Sequence, residues 1–271
     1  MITPPAHVLD LFAVPEVVTH LPGGSGSTYR AGDLVLSPGR DETVQAWLSP
    51  VLARLAVRLD EDPGRRARDL RVAMPVPARD GSWVVNGWAA CRYEPEAVTC
   101  LDLDVTLAAG RSLHAHLAVA VGSRPPRLHE REDRWARAER VAFGPTQEMV
   151  AAAAGTPAAD VVDRVAPHLS DVPLGTEQLV HADLAGNVLL DRQGAPLVID
   201  VSPAWRPVQW AEAVAVVDLV TWFGAPLSVV EPRQSGPERQ ALLRALIFRA
   251  LSDEQLDPEA YAPLLSVIAS T

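Results

Sequence analysis

Residues 180–189 read Val-His-Ala-Asp-Leu-Ala-Gly-Asn-Val-Leu, and residues 199–207 read Ile-Asp-Val-Ser-Pro-Ala-Trp-Arg-Pro. Between these segments, two short apolar runs flank Asp-Arg-Gln-Gly at residues 191–194, a composition that favours a turn. We therefore expect a β-hairpin at this point of the chain. It would bring Asn187, just before its first strand, close to Asp200, just after its second.

Three oxygen-bearing side chains of this stretch are candidate catalytic and metal-binding groups. Phosphoryl transfer needs a carboxylate that orients the attacking hydroxyl, and oxygen ligands that hold Mg²⁺ against the phosphates of the donor. Asp183 is the candidate for the first role, and Asn187 and Asp200 are the candidates for the second. Each alone has an ordinary structural explanation, as a loop cap, a turn residue or a helix N-cap. Their order along the chain favours a phosphotransfer site.

The sequence on either side of the hairpin predicts two lobes of different secondary structure. The first part alternates short apolar runs with turns, which predicts strands, and contains one helix with an apolar stripe from Val44 to Leu55. Later stretches are rich in Ala and Leu with helical periodicity. We expect an α+β protein with a β-rich nucleotide-binding lobe, residues 1–94, and a mainly helical lobe, residues 95–271. Ligands commonly bind in a cleft between such lobes.

The first lobe contains the candidate nucleotide-binding residues. Two hairpins are predicted there, one from residues 27–30 to 34–36 and one from 72–76 to 83–93. A Gly-rich run before the first is typical of a flexible turn, and it also allows backbone N–H groups to approach phosphates closely. The candidates for the phosphate contacts in this run are Gly23, Gly24, Ser25 and Gly26. The other candidates are Val35 in the adenine ceiling, Ser37, and the backbone of Arg92, Tyr93 and Glu94.

Composition excludes several classes of protein. The 271 residues carry a formal net charge of −10, which argues against a nucleic-acid partner. No apolar run approaches the roughly 20 residues of a membrane span, and the first residues, Met-Ile-Thr-Pro-Pro, lack the features of a signal peptide. Two cysteines, Cys91 and Cys100, are too few for a disulfide scaffold. We expect a cytoplasmic protein with reduced cysteines and no membrane partner, and no sequence pattern indicates an oligomeric state.

The chain resembles the aminoglycoside phosphotransferase family of the protein-kinase-like fold. The resemblance rests on the two quoted segments, which are also typical of an actinobacterial branch, and extends from residues 21–24 through 87–90 to 244–246. It implies a two-lobed kinase-like fold, ATP and Mg²⁺ as cofactors, and transfer of the γ-phosphoryl group to a hydroxyl of a small molecule that the sequence does not identify. It also implies that the segment containing Asp183 and Asn187 is the catalytic loop, and that Asp218, in a predicted helix, braces this loop.

Two departures from the kinase pattern concern charge and loop length. All 24 basic residues are Arg, so the Lys expected at the end of the third strand is absent and Ser37 stands there. Arg30 or Arg40 is the candidate substitute. Three residues separate Asp183 from Asn187, where the kinase pattern has four. These departures keep a second hypothesis open: a catalytically impaired kinase-fold protein that binds a nucleotide or metabolite as a sensor.

Two further pairs of residues have alternative interpretations. His114 and His116 lie on one predicted helix with their rings on opposite sides, so a packed or solvated role is favoured over metal binding. Trp205 and Arg206 follow Asp200 closely. They either line the acceptor pocket or dock their segment on the helical lobe, and docking is slightly favoured.

Overall fold

The structure is a computed structural model that describes residues 2–22 and 27–269. Outside them lie four residues that the sequence predicted to cover phosphates: Gly23, Gly24, Ser25 and Gly26. The strands are β1 (Thr19–His20), β2 (Tyr29–Ala31), β3 (Leu34–Ser37), β4 (Arg71–Val72), β5 (Pro75–Val76), β6 (Ala89–Arg92), β7 (Val98–Thr99), β8 (Glu177–His181), β9 (Val188–Leu190), β10 (Pro196–Val198) and β11 (Pro203–Pro207). The α-helices are α1 (Ala6–Leu11), α2 (Glu42–Asp60), α3 (Leu103–Ala120), α4 (Arg134–Ala142), α5 (Thr146–Ala153), α6 (Ala159–Val165), α7 (Val208–Phe223), α8 (Gly236–Ser252) and α9 (Pro258–Ala269).

The chain forms two compact units, and each unit is built from two separate segments. The first unit comprises Met1–Cys100 and Gly186–Asp200, and the second comprises Leu101–Ala185 and Val201–Thr271. The lobes expected from the sequence are continuous ranges, whereas the units are not. The predicted hairpin, now β9 and β10, therefore belongs to the first unit, while the residues on either side of it belong to the second.

An antiparallel sheet in the order β1-β2-β3-β6-β5 forms the base of the first unit. Alternation along β3 buries Leu34 and Leu36, which pack in a core with Trp88 and residues of α1. Val35 and Ser37 lie on the other face and are half-buried. Both cysteines are free thiols, as expected.

A second sheet in the same unit, in the order β4-β10-β9-β7, contains the predicted hairpin. Leu197 lies opposite Leu189 in the antiparallel register of β9 and β10. One expectation was wrong here: residues 72–76 do not form one strand of the second hairpin. Only residues 75–76 pair with β6, whereas Val72, with Arg71, pairs in parallel with β10. An apolar run indicates a strand, but a parallel partner far along the chain leaves no local turn signal.

Helices dominate the second unit, as the Ala- and Leu-rich sequence predicted. The apolar helix α7 is buried along most of its length and packs on α8. One antiparallel pair, β8 with β11, runs beside them. Strand β11 has no strand signal in the sequence, because its five residues begin and end with Pro. Within the part of the chain that the structure describes, no helix is both long and apolar enough to span a membrane.

Candidate active site

The β9–β10 hairpin brings the two predicted metal ligands together. Val188 pairs with Val198, and the ladder continues by one bond because the Ile199 N–H donates to the Asn187 carbonyl oxygen at 2.9 Å. Asp200 follows directly, with a left-handed φ of 49°. Asp tolerates this region better than most residues, but such backbone conformations carry some strain and are concentrated at functional sites.

The side chains of Asn187 and Asp200 fit a magnesium ion by their chemistry. Carboxylate and amide oxygens are hard ligands of the kind that Mg²⁺ prefers. Asn187 is half-buried, and the Asp200 side chain is 44% exposed. Among the described residues, no group of three or more His, Cys, Asp or Glu side chains forms a metal site. Mg²⁺ commonly takes one or two protein ligands and completes its coordination with water and substrate phosphates.

Arg40 forms an ion pair with Asp200. Its Nη1 donates to Asp200 Oδ1, and the Arg40 side chain is 25% exposed. Burial by itself would lower the pKa of the Arg40 guanidinium, but the Asp200 carboxylate raises the pKa by more. Cys91 lies beside the pair. Burial, and then the Asp200 charge, raise the pKa of its thiol to about 11, so Cys91 stays protonated at neutral pH.

The second candidate substitute for the missing lysine, Arg30, makes different contacts. Its Nε donates to the Gly32 carbonyl oxygen at 2.9 Å, and its guanidinium carbon lies 4.2 Å from the centre of the Tyr93 ring. These contacts hold Arg30 along the sheet. Of the two candidates, Arg40 is therefore the one that contacts a predicted metal ligand.

The predicted adenine contacts lie on β3 and at the end of β6. Val35 stands opposite Cys91, and Ser37 stands opposite Ala89. Ser37 is the last residue of β3, the position at which the kinase pattern has its lysine.

Main-chain and side-chain groups of residues 92–94 already have partners. The N–H groups of Arg92 and Tyr93 each donate to a main-chain carbonyl oxygen at 2.9 Å. The Arg92 guanidinium forms an ion pair with Asp33, and Glu94 accepts from Arg71 Nη1 at 2.7 Å. An adenine edge would therefore have to meet other main-chain groups of this segment.

His181 fixes the backbone around the candidate base. Its Nδ1 accepts from the Asp183 N–H at 3.2 Å and from the Ser202 N–H at 3.3 Å. The His181 N–H in turn donates to Nε2 of His114, on α3, at 3.0 Å. Both rings are buried, which confirms that His114 is a packed histidine. Burial, and then the proximity of His181, lower the pKa of His114 to about 3, so its ring is neutral.

Asp183 is held by a buried arginine whose role was not predicted from the sequence. Arg249 on α8 donates from Nη2 to Asp183 Oδ1 at 2.6 Å and to the Ala182 carbonyl oxygen at 3.3 Å. It also grips Asp218 on α7 with two bonds, one of them Nε to Oδ1 at 2.6 Å. Asp218 thus reaches the candidate catalytic loop through Arg249. The available signal was a single charge inside the apolar run Ala-Leu-Ile-Phe-Arg-Ala-Leu.

The electrostatics of this cluster follow from its burial. Asp218 is 1% exposed and Arg249 is 3% exposed. Burial raises the pKa of Asp218 to about 7, against the opposing effect of the Arg249 charge. Burial also acts to lower the pKa of Arg249, but the Asp218 and Asp183 carboxylates outweigh it and raise that pKa. The guanidinium therefore remains charged.

Two glycines permit the backbone conformation and the close packing of the candidate catalytic loop. Gly186 has a φ of 78°, which a side chain would disfavour. Gly110 on α3 lies against Leu184, and a Cβ at Gly110 would come within 2.6 Å of Leu184 Cδ1. The loop therefore packs directly on the backbone of α3.

Arg206 docks its segment within the second unit. Its Nε lies 2.7 Å from Glu139 Oε1, and its guanidinium carbon is 4.0 Å from the centre of the Phe143 ring. Trp205 pairs with Leu179 in the ladder of β11 and β8. These contacts favour docking for Arg206 over acceptor binding.

Comparisons with known proteins identify the fold. No family model matches the chain, and no curated protein matches its sequence. Choline kinase LicA from Streptococcus pneumoniae is similar over 98% of this chain and 97% of its own, with 14% identity and a TM-score of 0.50. A thermostable mutant of aminoglycoside phosphotransferase APH(4)-Ia, in its apo form, covers 97% of both chains, with 17% identity and a TM-score of 0.52.

A third similar structure is the GDP complex of wild-type aminoglycoside 2'-phosphotransferase-IIIa. It covers 97% of this chain and 96% of its own, with 14% identity and a TM-score of 0.52. At such identities the similarity shows the fold. The protein has an α+β, protein-kinase-like fold with a β-sheet N-lobe and a helical C-lobe, which confirms the fold class predicted from the sequence.

Proposed function

We propose that the protein is an ATP- and Mg²⁺-dependent phosphotransferase acting on a hydroxyl of a small molecule. The observation that carries this proposal is the β9–β10 hairpin, which holds Asn187 beside Asp200 in a fold shared with small-molecule kinases. One of the similar structures is a GDP complex, which supports a nucleotide as the donor. The acceptor remains defined only as a small-molecule hydroxyl, because one fold serves many substrates.

In the proposed mechanism, Asp183 receives a hydrogen bond from the acceptor hydroxyl and orients its oxygen toward the γ-phosphorus. The proton of the hydroxyl passes to Asp183 as the new O–P bond forms and the bond to the ADP oxygen breaks. Asn187 and Asp200 would hold Mg²⁺, and the bound ion would neutralise part of the phosphate charge. His181 keeps the Asp183 backbone in place through the 3.2 Å bond to its N–H.

The proposed nucleotide contacts come from the first unit. Val35 would cover the adenine, and main-chain groups of residues 92–94 other than the N–H groups of Arg92 and Tyr93 would meet its edge. Arg40 would supply the positive charge that Ser37 lacks. The run Gly23, Gly24, Ser25 and Gly26 would cover the phosphates.

A second candidate function is that of a nucleotide or metabolite sensor with little or no catalysis. The specific observation in its favour is that Arg40 already occupies Oδ1 of Asp200, the carboxylate that Mg²⁺ would need. Under this alternative, Arg40 neutralises Asp200 permanently, and nucleotide binds without the metal.

Two measurements test the proposal. Calorimetry gives the affinity for ATP with and without Mg²⁺, and ADP release is measured with water as the phosphoryl acceptor. We expect Mg²⁺ to strengthen ATP binding, and Asp183→Asn to reduce ADP release by about 10²- to 10⁴-fold without loss of ATP binding. Asp163→Asn, an exposed acid on α6, is the matched control and should behave as wild type. Absence of ATP binding would exclude the ATP-dependent phosphotransferase and a sensor of ATP, and would leave only a sensor of another metabolite. An ATP affinity that is the same with and without Mg²⁺, together with equal ADP release from wild type and Asp183→Asn, would favour the sensor.

A further inference from the structure

Arg249 makes two contacts beyond those that its own burial requires. A buried guanidinium needs a carboxylate partner, and the two bonds to Asp218 satisfy this need. The same side chain nevertheless extends its Nη2 to Asp183 Oδ1 at 2.6 Å and to the Ala182 carbonyl oxygen at 3.3 Å. The additional bonds go to the catalytic loop alone.

The geometry makes Arg249 a rigid support. Two bonds to Asp218 fix the plane of the guanidinium, because a planar fork gripped at two nitrogens cannot rotate. The Asp218 side chain is fixed in turn on α7, a helix buried along most of its length. Asp183 is different: its side chain is 42% exposed, while its Oδ1 accepts the bond from the buried Arg249.

We propose that Arg249 is a positioning residue for phosphotransfer. It holds Oδ1 of Asp183 and thereby fixes the orientation in which this carboxylate receives the acceptor hydroxyl. The inference rests on the proposed function. Orientation matters at this point because a displacement of about 1 Å in a reacting group can cost about 10²-fold in rate.

The test compares variants that separate positioning from folding. Loss of Arg249 alone would strand the buried Asp218 charge, so the test variant is the double substitution Arg249→Gln with Asp218→Asn. Asp218→Asn alone keeps the contact between Arg249 and Asp183. Arg244→Met is the matched control for loss of an arginine on α8, where Arg244 donates to the Ala142 carbonyl oxygen at 2.8 Å.

ADP release from Mg-ATP, with water as the acceptor, is measured for each variant that has the circular dichroism spectrum of the wild type. We expect the double variant to lose about 10²-fold in kcat relative to Asp218→Asn, with the KM for ATP changed less than about threefold. Arg249→Lys with native Asp218 should recover part of kcat, since one ammonium keeps the charge and loses the fork. Arg244→Met should keep the wild-type kcat.

Two negative results have different meanings. If wild type releases ADP and the double variant matches Asp218→Asn in kcat, Arg249 serves folding only and the inference is overturned while the proposed function stands. If kcat falls and the KM for ATP also changes in every variant, including Arg244→Met, the effect is structural and the inference is likewise overturned. If wild type itself releases no ADP, the proposed function fails, and the inference fails with it.

Discussion

Arg40 lies three residues after Ser37 in the sequence, and its guanidinium binds the Asp200 carboxylate. The chain has no lysine, and this guanidinium is a cation in contact with a proposed metal ligand. Its planar head is suited to phosphate oxygens as well as to a carboxylate. We therefore expect Arg40 to exchange its partner, from Asp200 to a phosphate, when nucleotide and Mg²⁺ bind.

Substitution of Arg40 should separate nucleotide binding from metal binding. Arg40→Gln should weaken Mg-ATP binding by about 10- to 100-fold, since a charge-assisted hydrogen bond is worth about 1.5–3 kcal/mol. The same change should strengthen binding of Mg²⁺ alone, because Asp200 loses its ion-pair partner. Isothermal titration calorimetry measures both affinities. Arg40→Lys should retain part of the nucleotide affinity.

Arg30→Gln is the matched control, because Arg30 stacks on Tyr93 and contacts Gly32. It should leave the affinity for Mg-ATP within about twofold of wild type. Equal losses in Arg30→Gln and Arg40→Gln would contradict the assignment of Arg40.

At the scale of single residues, the sequence predicted three candidate groups for phosphoryl transfer. Asp183, Asn187 and Asp200 were identified by type and order, which are visible in the sequence. The sequence left Arg30 and Arg40 as equal candidates, and it did not indicate Arg249. The choice of Arg40 depends on its contact with Asp200, which is 160 positions away in the sequence. The role of Arg249 depends on its contact with Asp183, 66 positions away, and no local pattern encodes such contacts.

At the scale of elements, the candidate catalytic loop is in close contact with α3. Leu184 is fully buried, and Gly110 provides the space that its side chain fills. His114, one helical turn further along α3, accepts the bond from the His181 N–H. One helix therefore supports the loop at two points.

Gly110→Ala should disturb the loop through steric pressure on Leu184. The added methyl carbon would lie 2.6 Å from Leu184 Cδ1, closer than van der Waals contact allows. We expect the free energy of unfolding to fall by about 1–3 kcal/mol, the usual cost of overpacking. Urea denaturation measures this change. Gly122→Ala, just beyond the end of α3, meets nothing within 4 Å and should be neutral; equal destabilisation in both variants would contradict the role of Gly110.

Elements with local signals were predictable, and their partners were not. The β9–β10 hairpin and the apolar stripe of α2 follow from turn residues and helical periodicity, which are local properties. The parallel pairing of β4 with β10 and the strand β11 have no such signal. Both depend on segments that meet only in the folded chain.

At the scale of the whole molecule, the buried histidine makes stability depend on pH. Burial lowers the pKa of His114 to about 3 in the folded state, while an unfolded histidine titrates near 6.5. Below pH 6.5 the His114 ring binds a proton in the unfolded chain but stays neutral in the folded chain. The stabilisation is therefore complete above pH 6.5 and is lost as the pH falls from 6.5 toward 3.

We expect the His114 contribution to the free energy of unfolding to be about 2 kcal/mol smaller at pH 5 than at pH 7. Asp218, with a pKa raised to about 7, acts in the opposite direction over this range, so the measurement is a difference between variants. His114→Gln keeps an acceptor for the His181 N–H and removes the titration. Urea denaturation at both pH values should show wild type losing stability relative to His114→Gln, and parallel behaviour would contradict the prediction.

His168→Gln is the matched control for that experiment. His168 is exposed, so its loss should leave the difference in stability between pH 5 and pH 7 as it is in wild type. A change in this control equal to that in His114→Gln would show that burial is not the cause.

The sequence by itself indicated the fold class, gave the order of Asp183, Asn187 and Asp200, and showed that no lysine stands at position 37. The fold class follows from periodicity, turn residues and the resemblance to the kinase pattern, and all of these are read from neighbouring positions of the chain. Only the tertiary structure decided that Arg40 contacts Asp200 and that Arg249 joins Asp218 to Asp183. The physical reason is that a buried charge is tolerated only where folding supplies an opposite charge, and that partner comes from a distant part of the chain.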